Sequence, residues 1–273
     1  MKHPYLILSI FIITFFNSCE QLIDLKLTSI PPIPVVDAWI YSDSVFAYIS
    51  ETTPYDNNNN TPLLDVDYIK LEVGNNSIYL NKIETGKYGV KLSETPPSFT
   101  PINLEIKVKD NTFISASNSL PSKVAIDSTY TVYKPQGGIW GSGYYITILF
   151  EDIFEEENFY RIKIFNNGIE LTANNILLES DINKNGVQIP YELPYAFSLN
   201  DSVEVELLSL SKSSYQYLVS LDQLSAIGSP SQSTPENPPF NVKGDAIGFF
   251  GAATKDQNKL RIHVENDSSV FSN

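Results

Sequence analysis

The chain has 273 residues, of which 32 are acidic and 18 basic, and its formal net charge is −14. An acidic chain repels phosphate backbones, so the composition argues against a nucleic-acid-binding protein. There are only two histidines and one cysteine, so a zinc hydrolase, which needs several imidazole or thiolate ligands, is disfavoured as well.

The N-terminus has the features of a signal peptide over residues 1–18. Lys2 supplies a basic start, and an apolar run of 13 residues follows it closely. That run is shorter than the roughly 20 residues that span a bilayer and has the length of a signal-peptide core. Cys19 comes directly after it, so we expect cleavage there, lipidation of Cys19 and a tether over 19–34. The alternative is an ordinary signal peptide followed by an incidental cysteine.

Residues 35–120 predict an immunoglobulin-like β-sandwich. About seven short strand patterns alternate with turns in this region, and no long helical pattern interrupts them. In "NLEIKVK", Leu104, Ile106 and Val108 point to one side and the residues between them to the other. This period of two is typical of a strand with one buried face.

Residues 121–273 predict a second β-sandwich-like domain with one helix, so the fold class is all-β. "GYYITILFED", "NFYRIKIFN" and "DSVEVELLSLS" read as strands, and "DAIGFFGAAT" and "KLRIHVEN" as two closing strands. The helix is predicted near 211–228, where Leu218 and Leu221 belong to an apolar stripe and Gly228 ends the pattern.

The glycine-rich stretch "QGGIWGSGYY" supplies the candidate residues for contact with a ligand or partner. Trp140 lies between glycines, and Tyr144 and Tyr145 follow it. A tryptophan on such a loop could stack on a sugar or insert into a partner. The alternative is a tryptophan folded against the sandwich edge, with the two tyrosines alternating in the next strand.

The stretch "SDINKNGVQIPYE" matches the calcium-loop pattern D-x-[DN]-x-[DN]-G-x5-E. Its matching residues are Asp181, Asn183, Asn185, Gly186 and Glu192. Oxygen ligands at alternate positions would point inward, and the glycine would allow a sharp turn. Prolines on both sides of Glu192 disfavour the exiting helix of a helix–loop–helix site. The alternative is a hairpin loop. The sequence indicates no cofactor other than calcium.

The sequence does not predict an enzyme. It contains no G-x-S-x-G motif, and a Ser-His-Asp arrangement in the secreted chain would depend on His263. That residue alternates with Ile262 and Val264, which is typical of a surface position on a strand. Two of the many carboxylates could meet as a glycosidase pair, but nothing local singles out such a pair.

Five segments carry a resemblance to a known family. They are "CEQLIDL", "ETGKYGV", "FEDIFEEENFYRIKI", "SLSKSSYQYLVSLDQL" and "NPPFNVKGDAIGFFGAAT". In their order and spacing the chain resembles the Bacteroidota outer-membrane lipoproteins known as domain of unknown function 4249. The resemblance implies a protein lipid-anchored to the outer membrane, facing the cell surface, and associated with a TonB-dependent transporter. The resemblance does not supply a catalytic residue or a ligand.

Three serines also resemble acceptors in the short O-glycosylation sequons that Bacteroidota use. Ser44, Ser128 and Ser202 each follow an aspartate and precede a Val or Thr. The same pattern is an ordinary turn before a strand, which is the alternative.

These observations together predict a non-enzymatic accessory subunit of a TonB-dependent transporter in nutrient capture or uptake. A free-standing surface adhesin or scaffold is the alternative, and a carboxylate-based glycan hydrolase is the least favoured.

Overall fold

The computed structural model shows an all-β protein, which confirms the predicted fold class. Sixteen strands and one helix lie within the residues that the structure describes. These residues are 31–54, 61–109, 112–154, 156–181, 186–225 and 237–263. The predicted signal peptide, Cys19 and most of the tether fall outside them. No helix in the described part of the chain is long and apolar enough to cross a membrane.

The first eight strands build the predicted N-terminal sandwich. They are β1 (Pro34–Ile40), β2 (Ser44–Glu51), β3 (Tyr68–Val73), β4 (Asn76–Tyr79), β5 (Asn81–Glu84), β6 (Lys87–Lys91), β7 (Ile102–Lys107) and β8 (Phe113–Asn118). One sheet has the order β1-β2-β6-β5 and the other β4-β3-β7-β8. Leu104, Ile106 and Val108 are all buried in the core that both sheets line, as their alternation predicts.

The next seven strands build the second sandwich. They are β9 (Ser128–Gly138), β10 (Gly141–Glu151), β11 (Phe159–Asn166), β12 (Ile169–Glu170), β13 (Leu177–Ser180), β14 (Gln188–Glu192) and β15 (Ser202–Leu210). One sheet has the order β14-β10-β9, and the other continues β12-β11-β15, with β13 also paired to β11. The alternating Val203, Val205 and Leu207 of β15 are fully buried against residues of both sheets.

The helix α1 (Lys212–Ser225) confirms the helix predicted near 211–228, as far as the described residues reach. Ser211 caps it, because its Oγ accepts the Ser214 backbone N–H at 3.3 Å. Leu218 is buried against Leu208 and Leu210 of β15, so the helix covers the sheet face opposite the second core.

The last strand, β16 (Ile247–Arg261), corrects the expectation of two closing strands. Its first six residues pair in parallel with β1, and its last nine pair antiparallel with β15. The polar stretch 255–258 stays in the strand because its backbone continues the ladder with β15. Phe250 packs in the first core, Ala253 under α1, and Leu260 against the second core. A single strand therefore belongs to both sandwiches.

Where β16 changes its pairing from β1 to β15, two serines at the start of helix α1 form hydrogen bonds that no strand provides there. The Ala252 N–H donates to the buried Ser214 Oγ at 2.9 Å, and the Ala252 carbonyl accepts the Ser211 N–H at 3.1 Å. Strand β15 ends at Leu210, so these serines continue its pairing for one more position. Without them the buried Ala252 N–H would lack a partner, which costs about 1–3 kcal/mol.

The connector between β8 and β9 is fixed to β15 and β16. The Val124 N–H donates to Ser209 Oγ at 3.2 Å, and the Ile126 N–H donates to Asp256 Oδ2 at 2.9 Å. Lys123 Nζ lies 2.7 Å from Asp256 Oδ1. Burial raises the pKa of Asp256, but the bonds from Lys123 and Ile126 outweigh it and hold the pKa below its ordinary value.

The predicted division into domains at 120/121 falls within this connector. Leu120 packs in the first core and Val124 in the second, while the described residues from Pro32 onward form one compact unit. The division itself stays a prediction.

We expect Ser214→Ala to lower the free energy of unfolding by about 1–3 kcal/mol, because it leaves the buried Ala252 N–H unpaired. Urea unfolding followed by circular dichroism measures this. The control is Ser220→Ala, on the exposed side of the same helix, whose hydroxyl bonds only the Gln216 carbonyl. Equal stability of the two variants would contradict the role of Ser214.

We expect Asp256→Asn to lower the stability at pH 7 by about 1–2 kcal/mol, because it weakens the bonds to Lys123 and Ile126. The folded pKa of Asp256 is depressed, so its contribution is present above about pH 4 and is lost as the pH falls through the folded value. The difference between variant and parent should therefore shrink towards pH 2–3. Urea titrations at several pH values measure it, with the exposed Asp245→Asn as control.

Candidate functional site

The β9–β10 hairpin carries the residues predicted for ligand or partner contact. Gly141 pairs with Gly138 at its end, and the register shifts between Gly141 and Gly143. Beyond that irregularity, the Tyr144 N–H donates to the Phe197 carbonyl and the Phe197 N–H to the Tyr144 carbonyl, both at 2.9 Å. A Cβ on Gly143 would lie 2.9 Å from the Phe197 carbonyl oxygen, so only glycine fits there without a shift. These contacts fasten the hairpin to the segment before β15.

The three predicted contact residues differ in exposure. Trp140 is 54% exposed, and its ring lies 6.3 Å from that of Tyr195 at an interplanar angle of 26°. Tyr144 is half-buried, with its ring 4.9 Å from that of Tyr133. Tyr145 is buried and donates its hydroxyl to the Gly141 carbonyl at 2.7 Å. Trp140 is therefore the one of the three whose ring is widely available to a partner.

Further exposed apolar side chains join Trp140 on this hairpin. Tyr130 is 47%, Val132 45%, Tyr133 55% and Ile139 94% exposed. We call Tyr130, Val132, Tyr133, Ile139 and Trp140 the hairpin surface. Strand β9 is not among the strands predicted from the sequence, although "STYTVY" is rich in strand-forming residues. Strand propensity would have found β9, but only the fold shows that its side chains remain exposed.

Lys134 and Glu192 form an ion pair on the same sheet. Lys134 Nζ lies 2.8 and 2.9 Å from the two carboxylate oxygens of Glu192 and 4.3 Å from the centre of the Tyr145 ring. The pair joins β9 to β14 across the intervening β10 and covers the ring of Tyr145. Exposed pairs of this kind contribute about 0–1 kcal/mol, so it positions side chains more than it stabilises the fold.

The predicted calcium ligands are placed as follows. Glu192 is engaged by Lys134, and Asp181 accepts the Asn158 N–H at 3.1 Å. Asn183 and Asn185 lie outside the described residues. Among the residues that are described, no group of three or more His, Cys, Asp and Glu side chains could hold a metal ion. The calcium site stays a prediction.

A buried carboxylate organises the start of β14. Asp152 is 2% exposed and accepts the Tyr160 hydroxyl at 2.7 Å and the Gly186 N–H at 3.0 Å. Burial and the hydrogen bond to Asp152 raise the pKa of Tyr160 above its ordinary value. This aspartate belongs to the acidic run "EDIFEEE" but serves the fold, since its partners are buried or backbone groups.

The three predicted glycosylation serines all begin strands. Ser44 opens β2 and donates its hydroxyl to Asp43 Oδ1 at 2.8 Å. Ser128 opens β9 and is exposed, and Ser202 opens β15, where its N–H donates to Asn167 Oδ1 at 3.0 Å. Their modification stays a prediction.

Fold and surface define an all-β protein in which two sandwiches share one strand and an aromatic hairpin is exposed. A family model described as Domain of unknown function (DUF4249) matches residues 20–259, and the chain belongs to this family. The resemblance carried by the five segments is thereby confirmed. No curated protein matches the sequence.

We expect Tyr145→Phe to lower the free energy of unfolding by about 0.5–1.5 kcal/mol, because it removes the hydrogen bond to the Gly141 carbonyl. The matched control is Tyr133→Phe, which removes a hydroxyl from a 55% exposed ring and should change stability by less than about 0.5 kcal/mol. Urea unfolding of both variants measures the difference, and an unchanged Tyr145→Phe variant would contradict it.

Proposed function

We propose that this chain is a non-enzymatic outer-membrane lipoprotein that acts as an accessory subunit of a TonB-dependent transporter in nutrient capture or uptake. The observation that carries the proposal is the hairpin surface, with its exposed aromatic and aliphatic side chains on a chain of net charge −14. Clustered exposed apolar residues typically mark interaction sites.

The composition of the hairpin surface favours a protein partner. Tyrosine and tryptophan are enriched among the residues that dominate binding energies at interfaces, and the hairpin supplies Tyr130 on one face, Tyr133 on the other and Trp140 at its end. A rigid scaffold reduces the entropy lost on binding. The hydrogen bonds between Tyr144 and Phe197 give the hairpin such a support.

The anchored location is proposed from the N-terminus. The short apolar run before Cys19 fits a signal peptide, and acylation of that cysteine would hold the chain at a membrane without a protein span. The family resemblance supports the outer membrane and the transporter as partner.

The proposed role is tested by gentle detergent extraction of native outer membranes and purification through a C-terminal tag. We expect a β-barrel transporter in stoichiometric amount. Recovery of the lipoprotein alone, at low salt and in several detergents, would contradict the role and favour a free-standing adhesin or scaffold.

We expect Trp140→Ala to weaken the association with the transporter about 30-fold, since truncating a central aromatic anchor typically costs 2 kcal/mol or more. The matched control is Phe113→Ala, at a residue with nearly the same exposure on the other sandwich, 53% against 54%. Recovery of the transporter after graded washing measures the effect. Equal recovery with both variants would remove Trp140 from the interface.

A further inference from the structure

Strand β9 has an outer edge whose length for pairing is defined by the residues at its two ends. It is the last strand of the sheet β14-β10-β9, and no strand among the described residues pairs with its outer edge. Upstream, the N–H groups of Ile126 and Asp127 are already bonded to Asp256 and to the Leu149 carbonyl. Downstream, Pro135 has no N–H to donate. The edge available for pairing is therefore 128–134, seven residues of about 3.3 Å each, or roughly 23 Å.

Lys134 and Pro135 lie at the end of this edge, and the residues before them have few of the features that usually prevent strands from pairing with other chains. Proteins commonly protect an exposed edge with charged side chains, proline or a short strand. The one charged residue between positions 128 and 134 is Lys134, and Glu192 already neutralises it. Tyr130, Val132 and Tyr133 are instead close to half exposed.

We propose that residues 128–134 of β9 bind an extended segment of the transporter by β-strand addition. In this mode main-chain hydrogen bonds supply affinity, and alternate side chains supply specificity. Tyr130 and Val132 share one face of the sheet with Tyr145 and Thr147 of β10. Alternate side chains of the added strand would therefore contact Tyr130 and Val132. The inference rests on the proposed function and specifies how the partner is bound.

The charge of the chain favours a different protein over a second copy. Two copies paired along β9 would each carry a net charge of −14, and their repulsion opposes association. A segment that carries basic residues and no acidic ones meets no such repulsion and gains from electrostatic attraction. Trp140 stacks on Tyr195 on the other side of β10, so its contact with the partner would be separate from the added strand.

Backbone hydrogen–deuterium exchange distinguishes strand addition from simple burial. In an antiparallel pair only alternate residues direct their N–H groups to a given neighbour. Within 128–134, the amides that face β10 are bonded in the free chain, and those that face outward meet no strand in the described part of the chain. The tagged complex in detergent and the free chain are compared amide by amide. We expect the outward amides to exchange at least about tenfold more slowly in the complex, with a period of two.

A charged substitution on the edge gives the matching functional test. We expect Val132→Lys to reduce recovery of the transporter at least about tenfold, because lysine on an edge strand opposes pairing. The control is Ile83→Lys, which places the same charge at a 64% exposed residue on β5, the edge of another sheet. Tyr130→Lys is the second edge variant, and circular dichroism with urea unfolding verifies that all three fold.

The outcomes separate this inference from the proposed function. Strand addition is supported if the transporter co-purifies, alternate amides of 128–134 are protected in the complex, and both edge variants lose the transporter. Co-purification with unchanged exchange at 128–134 overturns strand addition and leaves the accessory role intact. Absence of the transporter overturns both. Protection in the absence of any other protein, together with a doubled mass, overturns the inference in favour of a second copy.

Discussion

The structure depends on the pairing of β16 with two different strands. Its first part extends β1 and its second part extends β15, so the last described strand closes onto the first and joins the two sandwiches. The ladder between β1 and β16 joins residues more than 200 positions apart, as in the pair Val35 and Ile247. Such long-range pairing is slow to form because loop-closure entropy precedes the gain from contacts. The N-terminal sheet is therefore complete only after residues 247–252 have been synthesised.

Two sets of side chains make this shared strand compatible with a buried environment. Ser211 and Ser214 pair with the backbone of Ala252, where β15 has ended and β16 still continues. Asp256, in the polar part of β16, binds the connector through Lys123 and Ile126. The connector between β8 and β9 is therefore hydrogen-bonded to β15 and β16 on both sides of Val124, and these bonds join the two sandwiches. Buried polar groups that are fully paired in this way favour one arrangement over alternatives.

Local periodicity predicted much of the fold, and long-range pairing accounts for what it missed. The alternation of Leu104 and Ile106 predicted a strand with one buried face, and the stripe including Leu218 predicted the helix; both are confirmed. The continuity of β16 through Lys255 to Asn258 could not be read locally, because polar residues there are typical of a turn. Only the partner strand β15 makes an extended conformation favourable for them.

The same limit applies to the hairpin surface. The glycines around Trp140 indicated an unusual segment, but the exposure of Tyr130 and Val132 follows from the position of β9 at a sheet edge. An identical "STYTVY" in a central strand would be core, since strand propensity carries no information about what covers a face. Whether a strand lies at the edge or in the centre of a sheet is a property of the topology. In this protein the topology is decided by pairings between residues far apart in the sequence.

The shared strand also bears on how an anchored chain could present the hairpin. The chain enters the fold at Pro34, the first residue of β1, and β1 is bonded directly to β16. Strand β16 is bonded to β15, whose sheet lines the second core together with the β10 residues Ile146 and Ile148. A displacement of the hairpin relative to β1 would have to break hydrogen bonds of this ladder or open the second core. The path from chain entry to hairpin surface therefore runs through paired strands, and a partner bound there meets a surface held in a fixed position relative to β1.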